Sequence, residues 1–585
     1  MHDLIARTLN PTFCRRLEAE IHLEEIERHI RYLCQEIGVR MPGTVEERRA
    51  AEYCGQVIRD LGFDVEFEDF SYLAWAADAT RVDMVSPEAK PLTATWFSHT
   101  LPTPPEGIVA PAAYVGMEQD EDWSEASGCL AIVGRQVTTS PGRRDLIGRA
   151  HAAGAVGYLE FCTATPPELA KVGNAASFLT GRREPLTPSD LPPLPAASIS
   201  HQAAEEIRNL LQSGQTVELR LVVGPKGGQL LVWRTSPNVI GSVPGTDLAD
   251  EIVYVIGHHD ANVIGAHDNA SGAAAVLALA RWLKESGHRP RRTIRLFLPG
   301  CEQFGLIGST LHVQRNPEAM ANTVFAMDWG GIGDGDAMWV DRTPDAATLF
   351  DYLLVATDYA RLIPTVTQPP AVASDHAGFL WRAGIPVCEL HFREFHYLFT
   401  HYDDPDHIDM ERSRRSAVLG ALAALGFAGQ GALPLDFARA ASEIRETIRR
   451  FSHYPVTRSW MGELETAVDD LQRVGEQVNA LAARVGDTPS HLTPLNRALR
   501  AAARTLDPRL CGEFKLLPIL QRLVSDHAQI SSLARQMPRR LIDQGEILLQ
   551  VVNEREAVRE EAAAEAAAIA TALRQACAEL RTALA

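Results

Sequence analysis

Ile252-Val253-Tyr254-Val255-Ile256-Gly257-His258-His259-Asp260 is a short apolar run, rich in β-branched residues, that ends on a glycine, two imidazoles and a carboxylate. A run of this length bounded by a turn signal reads as a buried strand of a parallel sheet. Thr293 to Leu298 reads the same way and leads into Pro299-Gly300-Cys301-Glu302-Gln303. Between the two, Gly272 to Glu285 (GAAAVLALARWLKE) carries a strong helical pattern, so the unit is strand, loop, helix, strand. The fold class is α/β. Ligands of such sheets bind beyond the carboxyl ends of the strands. His258, Asp260, the loop Gly265 to Gly272 (GAHDNASG) and Glu302 all fall there.

Taken in order, these segments resemble the co-catalytic zinc aminopeptidases, a family that also holds glutamate carboxypeptidases, glutaminyl cyclases and transferrin receptors. The matching stretches are His258-His259-Asp260, GAHDNASG, Glu302-Gln303-Phe304-Gly305-Leu306-Ile307-Gly308-Ser309, and Asp328 after the run Val324 to Met327. Ser374-Asp375-His376 and Gly384-Ile385-Pro386 follow in the same order. Several ordered motifs over about 150 residues are far more specific than any one of them alone. The resemblance implies a mostly parallel mixed sheet flanked by helices. It implies His258 as first metal ligand, Asp268 as the carboxylate bridging two ions, and Asp328 completing the first ion's shell. Asp260 would fix the tautomer of His258, and Glu302 would be the general base. The late histidine is assigned to His401, with His396 as the rival because the spacing needs a gap. Zinc suits imidazole and carboxylate ligands with one position left open for water. Two such ions, roughly 3.5–4 Å apart, can acidify that water and clamp the substrate oxygen.

One position departs from the pattern. The second Glu of the family, a ligand to the second ion, is Gln303 here. Gln303 can still coordinate through its carbonyl, but it brings no charge, so the second site is expected to bind weakly. Three readings follow: a loosely held second ion, catalysis with one ion at His258, Asp268 and Asp328, or loss of catalysis. The retained Glu302 favours activity. His259 and His267 are assigned no role by the family pattern and read as supporting or solvent-facing side chains. Cys301 reads as a small strand-end residue, and Gly330 to Gly335 as a loop behind Asp328 rather than a dinucleotide fingerprint.

A chain of 585 residues exceeds one core and suits about three domains. Apolar content of 46% and charged content of 22% are ordinary for a globular protein. A formal net charge of −19 without a basic tract speaks against nucleic acid as a partner. Nine cysteines at irregular spacing do not form a disulfide framework. No apolar run is long enough for a membrane span or a signal core, so a cytoplasmic location is expected.

Along the chain, residues 20–85 read as the first part of the peptidase core. Within them a helix ends near Gly38, a second spans Glu46 to Leu61 before Gly62, and Val65 to Phe70 alternates as an edge strand. Residues 86–225 are proline-rich with short strands, at Cys129 to Val133 and around His151 to Leu159, and resemble an inserted protease-associated domain. The core resumes at 228–430. Residues 435–585 are helical, and Leu464, Val468, Leu471, Val478 and Val485 form one stripe interrupted at Gly475. An intramolecular bundle is the more common outcome for such a stripe, and the domain's position makes a homodimer a fair alternative. The expected function is a zinc-dependent exopeptidase with one or two ions, of aminopeptidase type, acting on peptides and without a membrane partner. The alternatives are carboxypeptidase or other amide hydrolysis, and a non-catalytic binding or scaffold role on the same fold.

Overall fold

The computed structural model describes residues 1–75, 77–118, 120–136, 143–174, 191–225, 231–370, 374–393, 395–451, 458–485, 487–511 and 556–584. Its central layer is an eight-stranded sheet built from β1 (Asp64–Trp75), β2 (Leu231–Val243), β3 (Ile252–Ile256), β4 (Thr293–Leu298), β5 (Thr323–Trp329), β6 (Ala337–Arg342), β7 (Thr365–Gln368) and β8 (Val387–Arg393). The order across the sheet is β1-β2-β4-β3-β5-β8-β6-β7. The strands β4, β3, β5 and β8 are mutually parallel, and antiparallel pairings join β1 to β2, β2 to β4 and β6 to β8. The chain leaves β3 for β4 on one side and returns to β5 on the other, so the order reverses at β3. A crevice forms at such a reversal.

All five residues of β3 and all seven of β5 are buried, which is why these strands read as unbroken apolar runs. They are covered by the helix Ser271–Glu285, apolar nearly all round, and by the helix Met410–Gly429, apolar from Ala417 onward. Trp329, at the end of β5, lies wholly inside and donates its indole N–H to Ser416 O at 3.1 Å. Two N-terminal helices, His2–Thr8 and Pro11–Glu20, also pack on this body through Ile5, Leu9, Cys14 and Leu17.

A second sheet of nine strands lies between β1 and β2 in the sequence, in the order Lys90–Pro91, Ala77–Ser86, Glu218–Pro225, Ile108–Met117, Leu130–Arg135, Gly157–Cys162, Ala196–Ile199, Ala94–Ser98, Gly173–Asn174. Ala77–Ser86 already belongs to it, so the chain crosses between sheets at residues 75–77, not at the expected 85–86. The expected boundary followed composition, whereas the crossing follows pairing: β1 stays with β2 as far as Trp75↔Leu231.

The last layer consists of the helices Phe437–Phe451, Arg458–Arg484, Pro489–Leu510 and Glu556–Leu584. The stripe residues Leu464, Val468, Leu471 and Val478 are buried within the chain itself. Gly475 interrupts the stripe where the helix passes the start of its neighbour, and a Cβ there would meet the backbone of Ala438 at 2.5 Å. The part of the expected last helix before residue 556 lies outside the described residues. Among the described residues no helix is long and apolar enough to cross a membrane.

Two predictions follow from this packing. A Cβ on Gly420 would collide with the indole of Trp329. Gly420→Val should therefore lower stability by about 1–3 kcal/mol or more, read as a lower thermal midpoint. In the loop leading to Gly173–Asn174 of the second sheet, Lys171 is 5% exposed and its ammonium finds no hydrogen-bond partner among the described residues. Burial pulls its pKa down to about 7. A folded-state value below the unfolded one means that the unfolded chain binds more protons between about pH 7 and 10. Lys171→Met should thus raise stability most below pH 7, with the gain shrinking as pH rises toward 10 in thermal melts.

Candidate metal centre

The site grows out of the ends of β3, β4 and β5. Directly after β3, His258 is buried, and its Nδ1–H points at Asp260, 3.1 Å from the backbone oxygen and 3.3 Å from Oδ1. Nε2 faces Asp268 Oδ1 at 3.2 Å and Glu302 Oε2 at 3.6 Å, so it is the nitrogen a metal ion would take in place of a proton. Asp260 has a further task. Its Oδ1 accepts from Glu302 N at 3.2 Å and its Oδ2 from Gln303 N at 3.0 Å, so one carboxylate ties the end of β3 to the turn after β4. Cys301 enters that turn at φ 57°, a left-handed backbone that non-glycine residues seldom adopt.

The loop that carries Asp268 is fixed from two sides. Arg40, fully buried, donates to the carbonyls of Leu33, Gly38, His259, Ile264 and Gly265. Asp403 accepts from His267 N at 2.6 Å and Asp268 N at 3.2 Å. Asn269 donates to Trp329 O at 2.7 Å and accepts from Gly272 N, pinning the start of the following helix beneath β5.

Asp328 on β5 lies opposite Ile256 in the parallel register, beside the exit of β3. Its Oδ2 accepts from the backbone N–H of His376 at 3.0 Å and from His376 Nδ1 at 3.1 Å. Its Oδ1 is buried without a hydrogen-bond partner among the described residues. Asp375 is fully buried beside it, its carboxyl pushed up to about 8 by burial, with His258 opposing and Asp328 adding to the rise.

Burial also raises the Glu302 carboxyl; the imidazole of His258 opposes this, while the charges of Asp268, Asp375 and Asp260 add to it. His258 moves the other way: burial opposes its protonation, but Glu302, Asp260 and Asp268 outweigh that and raise its pKa. This pocket therefore holds more negative charge than its protein cations balance. The donor chemistry suits a divalent ion: His258 Nε2 and Asp268 Oδ1 already face one another, while Asp328 stands with His376 and Glu389, each offering a ligand atom within 4.8 Å of the others.

Gln303 is turned differently from a ligand. Its Nε2 donates to Asp268 Oδ2 at 2.8 Å and to Glu302 Oε2 at 3.1 Å, while its Oε1 accepts from Asn262 at 2.9 Å. With two carboxylates on one side, the amide must present its NH2 there. Where the sequence led to a metal-facing carbonyl, the structure has the Gln303 amide as an N–H donor between two acids. His401 is likewise not brought to the cluster. Its side chain is exposed and packs on the ring of Tyr402, 4.4 Å between centroids, and the rival His396 is also exposed. The reason is local: Asp403 anchors this segment to the metal-site loop, and His401 faces away from that anchor.

His259 and His267 do not face solvent. Both are buried, which pulls each pKa down to about 4 and keeps the rings neutral. His259 donates to Leu298 O, and His267 accepts from Asp334 N while stacking on Phe395. Composition and spacing assigned no role to Asp403, Arg40 or Asn262. His376, by contrast, carried a signal, within Ser374-Asp375-His376.

The second sheet reaches the same end of the molecule. His99 packs edge-on against Phe304, 4.9 Å between centroids, two residues beyond Glu302. Val172 N donates to Phe399 O at 2.9 Å, and Lys171 Nζ lies 5.1 Å from the Phe399 ring.

Residues 238–423 match the family described as Peptidase family M28. The chain is 28% identical to a probable glutamate carboxypeptidase of Arabidopsis thaliana over 263 residues, 41% of this chain and 37% of that one. It is 26% identical to an aminopeptidase of Bacillus subtilis over 297 residues, 49% of this chain and 57% of the relative. The chain thus spans little more than a third of the plant relative's length and somewhat over half of the bacterial one's. The solved structure of a zinc aminopeptidase from Bacillus subtilis superposes with a TM-score of 0.53 at 22% identity, covering 69% of this chain and 94% of the other, a likeness of fold. The ordered motifs seated at the strand ends thus fall within residues 238–423, the stretch that matches peptidase family M28.

Proposed function

We propose that the chain is a metal-dependent exopeptidase of aminopeptidase type that works with one zinc ion, held by His258, Asp268 and Asp328. The observation that carries the one-ion reading is the amide of Gln303, whose two N–H groups engage Asp268 and Glu302. That amide takes up carboxylate lone pairs that a second ion would need, and it brings no anionic ligand of its own. It also holds the two acids together without a second divalent charge.

When bound, zinc would polarise a substrate carbonyl and acidify a water. Glu302 then takes a proton from the attacking water and passes it to the amine that leaves, a role suited to a carboxyl whose pKa lies above the ordinary range. Asp260 keeps Nδ1 of His258 protonated, so Nε2 stays available for the ion. Gln303 fixes the separation of Asp268 and Glu302. The charged side chains that meet in the described cluster are carboxylates and histidines, a field that suits a substrate ammonium better than a substrate carboxylate. The contacts of His99 and Lys171 support a protease-associated role for the second sheet, as a wall of the substrate cleft.

Substrate type is tested with aminoacyl anilides against their N-acetylated forms. Turnover of the free amines alone is expected, while turnover only of N-blocked dipeptides would establish a carboxypeptidase. Glu302→Gln should lower kcat by about 10²–10⁴ or more with zinc content unchanged, measured by steady-state kinetics and metal analysis. Loss of zinc in that variant would make Glu302 a ligand and not a base. Gln303→Glu replaces the amide donor with an anion between two acids, so it should bind one more equivalent of zinc than the natural chain. Calorimetric titration of both forms checks this; identical stoichiometry and affinity would place residue 303 outside the reach of any ion.

A further inference from the structure

β8 reads Val387-Cys388-Glu389-Leu390-His391-Phe392-Arg393, an alternation in which Cys388, Leu390 and Phe392 occupy one face and Glu389, His391 and Arg393 the other. Such a pattern ordinarily puts the polar face in water. Here Glu389 is 3% exposed. The register places Glu389 directly opposite Asp328 on β5 and directly opposite Asp341 on β6. Three carboxylates therefore form a lateral row across three adjacent strands on one face, and like charges directly opposite one another destabilise a sheet.

The cations facing this row do not occupy all of it. At the Asp328 end, His376 bonds Asp328 and lies 3.7 Å from Glu389. At the other end, Asp341 Oδ2 accepts from Gln368 Nε2 at 3.0 Å and lies 3.5 Å from Arg393 Nη2. Three atoms between them have no hydrogen-bond partner among the described residues: Asp341 Oδ1, Glu389 Oε2 and His391 Nε2. His391 Nε2 stands 3.5 Å from Asp341 Oδ2 without hydrogen-bond geometry. Asp341, Glu389 and His391 each offer a ligand atom within 4.8 Å of the others. Ligands about 2.0–2.2 Å from a tetrahedral zinc stand roughly 3.3–3.6 Å from one another, a spacing this trio reaches with small side-chain adjustment.

We propose that Asp341, Glu389 and His391 form a binding site for a divalent transition ion of the zinc class, separate from the ion held by His258, Asp268 and Asp328. Two ionised carboxylates and a neutral imidazole balance a divalent charge, which relieves the repulsion along the row and gives all three orphaned atoms a partner. The site has an approach from solvent, because the His391 side chain keeps 15% of its surface exposed. Strands about 4.8 Å apart place Asp341 two strands, or roughly 10 Å, from Asp328. The ion would act structurally, bracing β8 against β6 just before the segment that carries His396, Phe399 and His401.

The test uses the full-length chain and zinc alone. With His258→Ala and Asp268→Asn the catalytic position is removed, and this double variant should still take up one equivalent of zinc in calorimetry and melt at a higher temperature in zinc than in EDTA. Adding Asp341→Asn and His391→Gln should abolish both the uptake and the zinc-dependent rise. Melting in EDTA separates lost binding from damage to the fold, since damage lowers the midpoint there too. Should Asp341→Asn weaken the fold, His391→Gln alone in the double variant carries the test. No uptake by the double variant would overturn the proposal, with the row neutralised by protons only. Uptake unchanged by alterations at 341 and 391 would overturn it equally. Either result leaves the catalytic reading untouched, because that rests on zinc bound through His258 and Asp268.

Discussion

The two oxygens of Asp260 hold the end of this sheet together. One carboxylate receives the backbone N–H groups of Glu302 and Gln303 and faces Nδ1 of His258, so the exits of β3 and β4 are locked in a single relative position. The imidazole tautomer and the placement of Glu302 follow from that one group. A buried carboxylate is stable only when hydrogen bonds or opposite charge satisfy it, and here the two backbone N–H groups do so. Glu47 supports the turn from the other side, accepting from Ser236 Oγ at 2.6 Å and Gly43 N at 2.6 Å.

Around this anchor the principal problem is surplus negative charge. His258 is the basic side chain placed directly against Asp260, Asp268 and Glu302. Burial drives the carboxyls of Glu302, Asp375 and Asp403 upward, the last two to about 8, which is the response of acids lacking enough counter-charge. Cations resolve such a conflict better than protons, because an ion satisfies several lone pairs at once. The Gln303 amide is a partial substitute: it supplies two N–H donors where the family pattern places another anion.

The larger architecture serves the same end of the sheet. The nine-stranded sheet is threaded between β1 and β2 and returns to the strand ends through His99 against Phe304 and Val172 against Phe399. The C-terminal helices dock away from the strand exits. Arg292 donates to the carbonyls of Phe427, Gln430 and Gly431, and Asn496 bonds Leu433 N and Gly431 O. The stripe residues Leu464, Val468, Leu471 and Val478 are buried against neighbouring helices of the same chain.

Much of the core was readable because its signals are local. β3 and β4 have the limits that their apolar runs mark, and the helices at Val45–Asp60 and Ser271–Glu285 follow their periodicity and end signals. The sequence by itself determined that His258 and Glu302 come just after β3 and β4 and that Asp328 comes at the end of β5, because the apolar runs that mark those strands are unambiguous. It could not orient side chains lying in loops or facing charges from distant segments. The direction of the Gln303 amide depends on Asp268, Glu302 and Asn262 together; the outward turn of His401 depends on Asp403 binding the backbone of residues 267 and 268. In β8 the register with β5 and β6 aligns Glu389 with two further carboxylates, an arrangement that no local pattern records. Periodicity records which residues avoid water. Only the tertiary structure decides which charges must face one another, because that depends on strand register across segments far apart in the chain.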